Sequence, residues 1–411
     1  MINKHKLGMR LATGSLALLA TQTWAAGFQL NAQSATGLGR AFAGDAVIAD
    51  NASVMARNAA AMALFDKAAM SLGFVLLETD ISVKNATYTS AFAPGQSFPS
   101  NYDNAGGTSV APNLHVIIPI NEQFTWGANL YSNFGTKTEF NSSFTAPEFG
   151  DLTDVKSFNI GTSLAYRVNA QWSIGGGLDL IYGKGEMKRA ANTPAGKRTI
   201  LDIDADGFAL GFNLGVVYEV NEANRYGLSY RYSPKLEAKG DILFAGNPAN
   251  PSISNDTLYM PLPDMIEFSG YHRVSPQWAV HYSVQWIGWS SFDVLKSKGH
   301  GIINDYEWQN GMHYAIGGTY YLNQDWTLRA GYMHDTSAQD KVTSISVPDS
   351  DRNWLSAGFS YHISPVSSID FGATYLFGED VQVTETSSFS NLKGTTHADA
   401  ILVGLQYSRS F

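Results

Sequence analysis

Residues 202–207 carry the first pattern that could bind a ligand. They place an aspartate at every second position and end in a glycine, as the calcium-binding loop of an EF-hand begins. Such a loop needs a bidentate glutamate at its twelfth position, where this chain has Asn213. The segment also continues as a β-strand. We therefore predict no calcium site, and no other cofactor.

His281 and Ser283 form a second pattern, because a histidine and a serine on one strand face could serve as base and nucleophile of a hydrolase. They fall in the middle of a predicted strand, where the simpler interpretation is polar lining of a lumen. The sequence has no cysteine, which excludes cysteine nucleophiles and zinc–thiolate sites. We predict that the protein is not an enzyme, with an outer-membrane lipase as the enzyme alternative.

The chain repeats a structural unit that would position such residues. Six short polar turns recur about 40 to 55 residues apart, each followed within a few residues by an aromatic side chain. The turns begin at Asn121, Asn169, Asn221, Ser275, Asn323 and Ser364. Short turns on one side, longer loops on the other and aromatics beside the short turns are typical of a bacterial outer-membrane β-barrel.

Alternating side chains predict the same fold class, an all-β transmembrane antiparallel β-barrel. Residues 401–411 place apolar side chains on one face, with Arg409 as a departure, and end in Phe411. The pattern recurs along residues 68–411, which we divide into about 14 strands. A soluble sandwich or solenoid is the alternative, but a sandwich gives no reason for an aromatic after every short turn.

Residues 1–25 are typical of a secretory signal peptide. A basic start is followed by a short apolar stretch, and Ala25 is suited to cleavage. The formal net charge of −9 argues against nucleic acid as a partner. We expect an exported, multi-pass protein of the bacterial cell outer membrane. Its partners would be outer-membrane lipid, lipopolysaccharide and, during biogenesis, the barrel assembly machinery.

Residues 26–67 do not alternate and are rich in small side chains, which predicts a hatch folded back into the barrel lumen. A disordered periplasmic tail is the alternative. Five apolar residues have the inward parity of the predicted strands: Val75, Leu77, Ile117, Val217 and Ile287. They favour a lipophilic cargo, since an ion-conducting porin would prefer charged side chains there, but packing against a hatch would select the same residue types.

Segments along essentially the whole mature chain resemble the FadL family of outer-membrane long-chain fatty-acid and hydrophobic-compound transporters. In the hatch the similar segments are 26–31, 37–41, 48–50 and 57–58. In the barrel they are 110–113, 119–121, 132–135, 138–140, 269–274, 276–279, 348–352 and 354–358. The combination of these segments is specific.

The resemblance implies a fourteen-stranded barrel, closed by the hatch, that takes up long-chain fatty acids passively. Cargo would enter an apolar pocket in the lumen, where Phe28 would contact it, and a hatch movement would open the way onward. Cargo would then leave sideways through an inward kink in the third strand, at Asn133, Phe134 and Gly135. Glycine suits the kink, because it lets a strand bend and leaves no side chain in the gap.

The resemblance also implies roles for polar residues. Arg189 would pair with the fatty-acid carboxylate, which suits its planar guanidinium, although a solvated position beside Lys184 and Lys188 is the alternative. Gln309 falls at a second head-group position, where the family has a basic residue. Asp335 matches another position implicated in transport.

The sequence departs from the family in the hatch and in one outer loop. The Asn-Pro-Ala motif of the hatch is Asn58, Ala59 and Ala60 here, so gating can differ without the proline. The third outer loop, residues 190–198, is short, which puts a surface capture site in doubt. The weaker carboxylate clamp at Gln309 would suit an aromatic hydrocarbon as cargo.

Three classes of function remain open from the sequence. An importer of fatty acids or of aromatic hydrocarbons is the first, a surface structural or adhesion barrel the second, and a general diffusion porin the third. The sequence does not decide between the two cargoes, and it does not give the oligomeric state.

Overall fold

A computed structural model describes residues 27–411, so the predicted signal peptide and Ala26 lie outside the described residues. The hatch, described from residue 27 to residue 67, contains helix α1 (Ala35–Leu38) and two 3₁₀ helices (Ala52–Ala56 and Ala59–Leu64). A third 3₁₀ helix (Trp289–Ser291) lies between two strands. None of the helices formed by residues 27–411 is long and apolar enough to cross a membrane.

The strands follow one another along the rest of the chain. They are β1 (Ala69–Ser90), β2 (Phe98–Pro99), β3 (Thr108–Pro119), β4 (Phe124–Tyr131), β5 (Gly135–Glu139), β6 (Leu152–Arg167), β7 (Trp172–Thr193), β8 (Gly196–Asn221), β9 (Asn224–Tyr232), β10 (Lys235–Phe244), β11 (Ser252–Pro261), β12 (Met265–Arg273), β13 (Trp278–Ile287), β14 (Val294–Ser297), β15 (Gly301–Asp305), β16 (Gly311–Tyr321), β17 (Trp326–Asp335), β18 (Arg352–Ser364), β19 (Ser367–Gly378), β20 (Val381–Thr386) and β21 (Ser390–Ser410).

These segments form a closed antiparallel barrel of 14 strands, which confirms the predicted fold class. Closure comes from β1 and β21, whose pairing runs from Ala69 opposite Ser410 to Ser90 opposite Ser390. Six of the fourteen barrel strands are interrupted, so that each consists of two labelled segments: β4–β5, β9–β10, β11–β12, β13–β14, β15–β16 and β19–β20. The two-residue strand β2 pairs with β1 and is not counted among the fourteen. A closed sheet pairs the backbone N–H and C=O groups between strands, which is what a bilayer requires.

The two faces of the wall differ as the alternation predicts. On β8, Phe208 and Leu210 point outward and are each 60% exposed, whereas Asn213 and Val217 point inward and are buried. Outward apolar side chains have no protein partner to bury them, so lipid must cover them. This pattern agrees with the transmembrane barrel that the sequence predicts.

Four of the six recurring turns, those that begin at Asn121, Asn169, Ser275 and Asn323, share one hydrogen-bonding pattern. The side-chain oxygen of Asn121 accepts hydrogen bonds from the backbone N–H groups of Gln123 and Phe124, both at 2.9 Å. Asn169 binds the N–H groups two and three residues later in the same way, also at 2.9 Å. Because asparagine can make this turn with its own side chain, it places the aromatic directly where the next strand begins.

The hatch lies inside the lumen and approaches the wall closely at glycines. A Cβ atom added to Gly215 of β8 would lie 1.8 Å from the Oδ1 of Asn58 in the hatch. One added to Gly331 of β17 would lie 2.2 Å from the carbonyl oxygen of Arg40. Glycine therefore permits the hatch backbone to seat against these strands.

Candidate functional site

Phe28 lies at the centre of a buried group of aromatic side chains. Its ring centroid is 4.5 Å from that of Trp289, 5.3 Å from Phe292, 5.6 Å from Trp308 and 6.3 Å from Phe134. We call this group the aromatic cluster; its members are Phe28, Phe134, Trp289, Phe292, Tyr306 and Trp308. Through this cluster the start of the hatch contacts the wall at two places. One is the third strand of the barrel, and the other is the pair of interrupted strands β13–β14 and β15–β16.

Interruptions in two neighbouring strands bring four of these rings into the lumen. Trp289 opens the 3₁₀ helix between β13 and β14, and Phe292 follows it. Tyr306 and Trp308 lie between β15 and β16, where the N–H of Tyr306 donates to the carbonyl of Asp293 at 2.8 Å. Irregular backbone at membrane depth is tolerated where it is buried or lines a cavity, so these interruptions mark a site in the lumen.

The third strand of the barrel, which consists of β4 and β5, is interrupted at the predicted kink. β4 ends at Tyr131 and β5 begins at Gly135, and within residues 27–411 no β-ladder joins β3 to β5. The first residues of the hatch pair with the kink instead. The Gly135 N–H donates to the carbonyl of Phe28, and the Leu30 N–H donates to the carbonyl of Asn133, both at 2.8 Å.

Residues 27–33, which we call the arm, therefore occupy hydrogen-bonding groups that a regular third strand would offer to its neighbour. Phe28, Asn133, Phe134 and Gly135, all singled out from the sequence, meet at this contact. The sequence separates Phe28 from the kink by about a hundred residues, so this pairing is a tertiary contact.

A narrow apolar cavity of about 30 Å³ adjoins the cluster. Its lining includes Phe28, Thr136, Thr153, Met187, Leu258 and Phe292. The surface exposed to the cavity is apolar, as a pocket for a hydrocarbon chain requires.

Arg189 lies buried at the edge of this cavity. Its guanidinium donates to the carbonyls of Leu152 (2.7 Å) and Lys188 (2.5 Å) and to the hydroxyl of Thr153 (2.8 Å), and Thr153 lines the cavity. No carboxylate of residues 27–411 lies within ion-pair distance of this guanidinium. Because a buried charge is costly without a counter-ion, the position suits an anion that arrives from outside the protein.

Asp335 belongs to a buried charged group that reaches the arm. It forms an ion pair with Arg352 at 3.0 Å, and Arg352 lies 3.1 Å from Asp349. Asp349 accepts a hydrogen bond from the backbone N–H of Gly27 at 3.3 Å. Burial raises the pKa of Asp349; Arg352 opposes this shift and Asp335 reinforces it. Asp335 is thus connected to the arm through Arg352 and Asp349, by two ion pairs and one hydrogen bond.

Gln309 lies away from the cavity. Its side chain is exposed, and its backbone N–H and Nε2 donate to the carbonyls of Ala338 (2.8 Å) and Ser337 (3.3 Å). The neighbouring Trp308 enters the aromatic cluster instead. A role for Gln309 in cargo binding stays a prediction.

Asn58, Ala59 and Ala60 are buried against β7 and β8, in a different apolar cluster from Phe28. The Asn58 side chain accepts from the Ala60 N–H at 3.0 Å and donates to the carbonyls of Ala46 (2.9 Å) and Val216 (3.1 Å). This capping begins the 3₁₀ helix without the proline of the family motif.

Charged side chains anchor the middle of the hatch to the wall. Arg40 lies 2.6 Å from Asp45 and 2.9 Å from Asp50, and Asp50 lies 3.2 Å from Arg329 of β17. Burial opposes these charges, yet Asp50 and Asp45 raise the pKa of Arg40, and Arg40 and Arg329 lower the pKa of Asp50. The middle of the hatch is held by ion pairs, whereas the arm is held by backbone pairing, aromatic contacts and hydrogen bonds to charged side chains such as Arg57 and Asp349.

The inward apolar residues are all buried, and each lies in a cluster with hatch residues. Val75 and Leu77 pack in one such cluster, and Ile117 and Val217 in another. Ile287 belongs to the apolar cluster that contains Phe28 of the hatch. Packing against the hatch therefore accounts for all five residues, and the lining of the lumen says less about cargo than the sequence suggested.

Sequence reasoning missed Trp289, Phe292, Tyr306 and Trp308. A signal was present, because these aromatics break the alternation inside two predicted strands. His281 and Ser283 are both buried in the lumen, where His281 pairs with the Thr319 hydroxyl at 3.0 Å and Ser283 donates to Glu267 at 3.1 Å. Each has its own partner, as lumen-lining residues would.

The chain is similar to known proteins over nearly its whole length. The family described as outer membrane protein transport protein (OMPP1/FadL/TodX) matches residues 16–411. A long-chain fatty acid transport protein of Escherichia coli O6:H1 is 37% identical, over 97% of each chain. Outer membrane protein P1 of Haemophilus influenzae is 32% identical, over 99% of this chain and 100% of that protein.

Solved structures share the fold. A FadL homologue of Pseudomonas aeruginosa has a TM-score of 0.84 at 22% identity and covers 94% of this chain and 100% of its own. The Pseudomonas putida toluene transporter TodX has a TM-score of 0.65 at 17% identity, over 88% of this chain and 94% of its own. At these identities the likeness concerns the barrel architecture.

Proposed function

Because this chain belongs to the OMPP1/FadL/TodX family of outer membrane transport proteins, we propose that it takes up long-chain fatty acids passively through the lumen of its barrel. Family membership makes it an outer-membrane channel for hydrophobic molecules. The identity of the cargo and the route through the lumen are the proposal.

The observation that carries the proposal is the apolar cavity with Arg189 at its edge. A long-chain fatty acid needs an apolar surface for its tail and a cation for its carboxylate. The cavity offers the first, and the guanidinium offers the second, since no carboxylate of residues 27–411 forms an ion pair with it. A charge-assisted, bidentate contact is what a guanidinium makes best with a carboxylate.

Cargo binding would act on the arm, because Phe28 lines the cavity and also pairs with the kink through its backbone. The cavity of about 30 Å³ is far too small for a fatty-acid tail, so the tail must displace side chains. Displacing Phe28 would break the pairing of the arm with Asn133 and Gly135. The break in the wall between β3 and β5 would then become the lateral exit, as the resemblance implied.

An aromatic hydrocarbon is the second candidate cargo. The observation that favours it is the aromatic cluster, whose rings can contact a flat apolar molecule with their faces and edges. Such a cargo would enter by the same route and would not use Arg189.

Native mass spectrometry of the barrel, purified without added lipid, tests the proposal. We expect co-purified long-chain fatty acid, displaceable by added fatty acid of another length. A matched assay follows growth on a long-chain fatty acid in a host that lacks its own importer. Bound hydrocarbon would favour the second candidate, and the absence of both ligands together with no growth would refute uptake.

A further inference from the structure

We propose that Trp289 and Trp308 form a hydrogen-bonding site for an uncharged oxygen atom of the cargo, such as the oxygen of a long-chain alcohol, ketone or ester. This inference rests on the proposed uptake of hydrophobic molecules and names a further class of them. It concerns a second head-group site, separate from Arg189.

Two buried donors carry the inference. Trp289 is 0% exposed and Trp308 is 4% exposed, and neither indole Nε1 has a hydrogen-bond partner among residues 27–411. A buried indole N–H usually has a partner, and each exception asks for an explanation. Here two exceptions lie side by side, with ring centroids 5.1 Å apart.

The arm covers both rings. Phe28 contacts Trp289 and Trp308 with centroid distances of 4.5 and 5.6 Å. A Cβ atom added to Gly27 would lie 2.6 Å from Cε2 of Trp289, the ring atom bonded to Nε1. Moving the arm would therefore uncover the part of Trp289 that lies next to its donor, together with the benzo edge of Trp308, whose Cζ3 would lie 2.7 Å from the same Cβ atom.

The chemistry of the donors selects the ligand. An indole N–H donates one hydrogen bond, accepts none and carries no charge, so its partner is an acceptor oxygen. A carboxylate would bind Arg189 instead, because a charged partner gives the stronger bond. The two places are connected through the cluster, since Tyr306 and Phe292 line the cavity and lie 5.9 and 4.9 Å from Trp308.

A third tryptophan supplies an internal control. Trp354 is also fully buried, and in the part of the chain that the structure describes its Nε1 also has no hydrogen-bond partner. It packs with Leu38, Met333 and Leu376 in a cluster that does not contain Phe28. A cargo-specific effect must therefore spare Trp354.

Binding of matched ligands to the purified full-length barrel tests the site. The ligands are hexadecanol and hexadecane, and the variants are Trp289→Phe, Trp308→Phe and the control Trp354→Phe. Phenylalanine keeps an aromatic ring and removes the donor. We expect the first two variants to bind hexadecanol about three- to tenfold more weakly and hexadecane unchanged, as for the loss of one hydrogen bond. Equal losses for both ligands would overturn the site, because packing alone would then explain the effect.

A measurement on the unaltered protein covers the case in which a variant does not fold. The indole N–H resonances of Trp289 and Trp308 should move downfield in the ¹H–¹⁵N spectrum with hexadecanol, not with hexadecane, while that of Trp354 stays in place. Binding of both ligands without these shifts overturns the site alone. Failure of fatty acid, alcohol and alkane to bind at all overturns the proposed function and the site with it.

Discussion

Arg189 differs from other buried arginines in what surrounds its guanidinium. Arg40, Arg231 and Arg352 each contact a carboxylate, whereas Arg189 contacts carbonyls and a hydroxyl. A buried guanidinium without a directly contacting carboxylate lowers stability, so its presence beside an apolar cavity favours a binding role over a structural one.

Replacing Arg189 tests that role. In Arg189→Ala we expect fatty-acid affinity to fall about tenfold, the loss of a charged hydrogen bond, and hydrocarbon affinity to stay unchanged. Displacement of a fluorescent fatty acid measures the effect. Lys188→Ala is the matched control, since Lys188 is the exposed neighbour on the same strand. An equal loss for both cargo types would contradict the head-group role.

Asp349 predicts a dependence of stability on pH. Its pKa is raised in the folded protein, chiefly by burial, so it keeps its proton to higher pH than in the unfolded chain. The free energy of unfolding should therefore fall as pH rises from about 4, the ordinary value for aspartate, through the raised value.

Asp349→Asn should flatten that slope, as measured by urea unfolding in detergent micelles at a series of pH values. Asp351→Asn is the control, because Asp351 accepts a hydrogen bond from the Ser337 N–H and lies in the same loop. A slope that survives in Asp349→Asn would assign the pH dependence to another group.

At the scale of elements, the interruptions in the strands are the devices that build the site. Regular strands alternate, so they can point only every second side chain into the lumen. The breaks at 288–293 and 306–310 release that constraint and bring Trp289, Phe292, Tyr306 and Trp308 inward together. The break at Asn133 has a different effect. It interrupts the pairing with β3, and the arm pairs with Asn133 and Gly135 instead.

The fit between hatch and wall can be tested at one glycine. In Gly215→Ala the new methyl group would meet Oδ1 of Asn58, so the Asn58 side chain must move and release the Ala60 N–H. We expect faster hydrogen exchange at the Ala60 amide, by about tenfold for the loss of one cap. In the control Gly318→Ala the nearest contact is an ordinary 3.7 Å. Unchanged exchange at Ala60 would mean that the hatch has room to adjust.

At the scale of the whole molecule, a closed wall surrounds a hatch that fills its lumen. The sheet is closed by pairing between β1 and β21, without hatch residues in that pairing. The hatch in turn supplies the apolar partners of Val75, Leu77, Ile117 and Val217, which would otherwise face water. Its removal should open the lumen.

Deleting residues 26–67 separates the classes of function. In planar bilayers we expect the single-channel conductance to rise severalfold above that of the full chain, because the hatch no longer blocks the lumen. Circular dichroism controls for an intact β-barrel. An unchanged conductance would favour a porin whose lumen is already open. Binding to host surfaces that survives this deletion, but is lost on exchange of the outer loops, would favour an adhesion barrel.

The sequence by itself determined the barrel, because the signals that specify it are local. The asparagine or serine at each short turn, the aromatic after it and the two-residue alternation lie within a few residues of one another. The resemblance added Phe28, Arg189 and the kink at Asn133 to Gly135, which lie at or beside one cavity. It also put Gln309 forward, whose exposed side chain lies elsewhere.

The tertiary structure alone decided how the hatch meets the wall. The pairing of Phe28 with Gly135, the approach of Trp289 to Trp308 and the absence of a carboxylate beside Arg189 within residues 27–411 join distant parts of the chain. Alternation says which face of a strand is buried but not which distant residue it meets, since burial in lipid and burial against a hatch select the same apolar side chains. The contacts between hatch and wall form only when the barrel closes around residues 27–67.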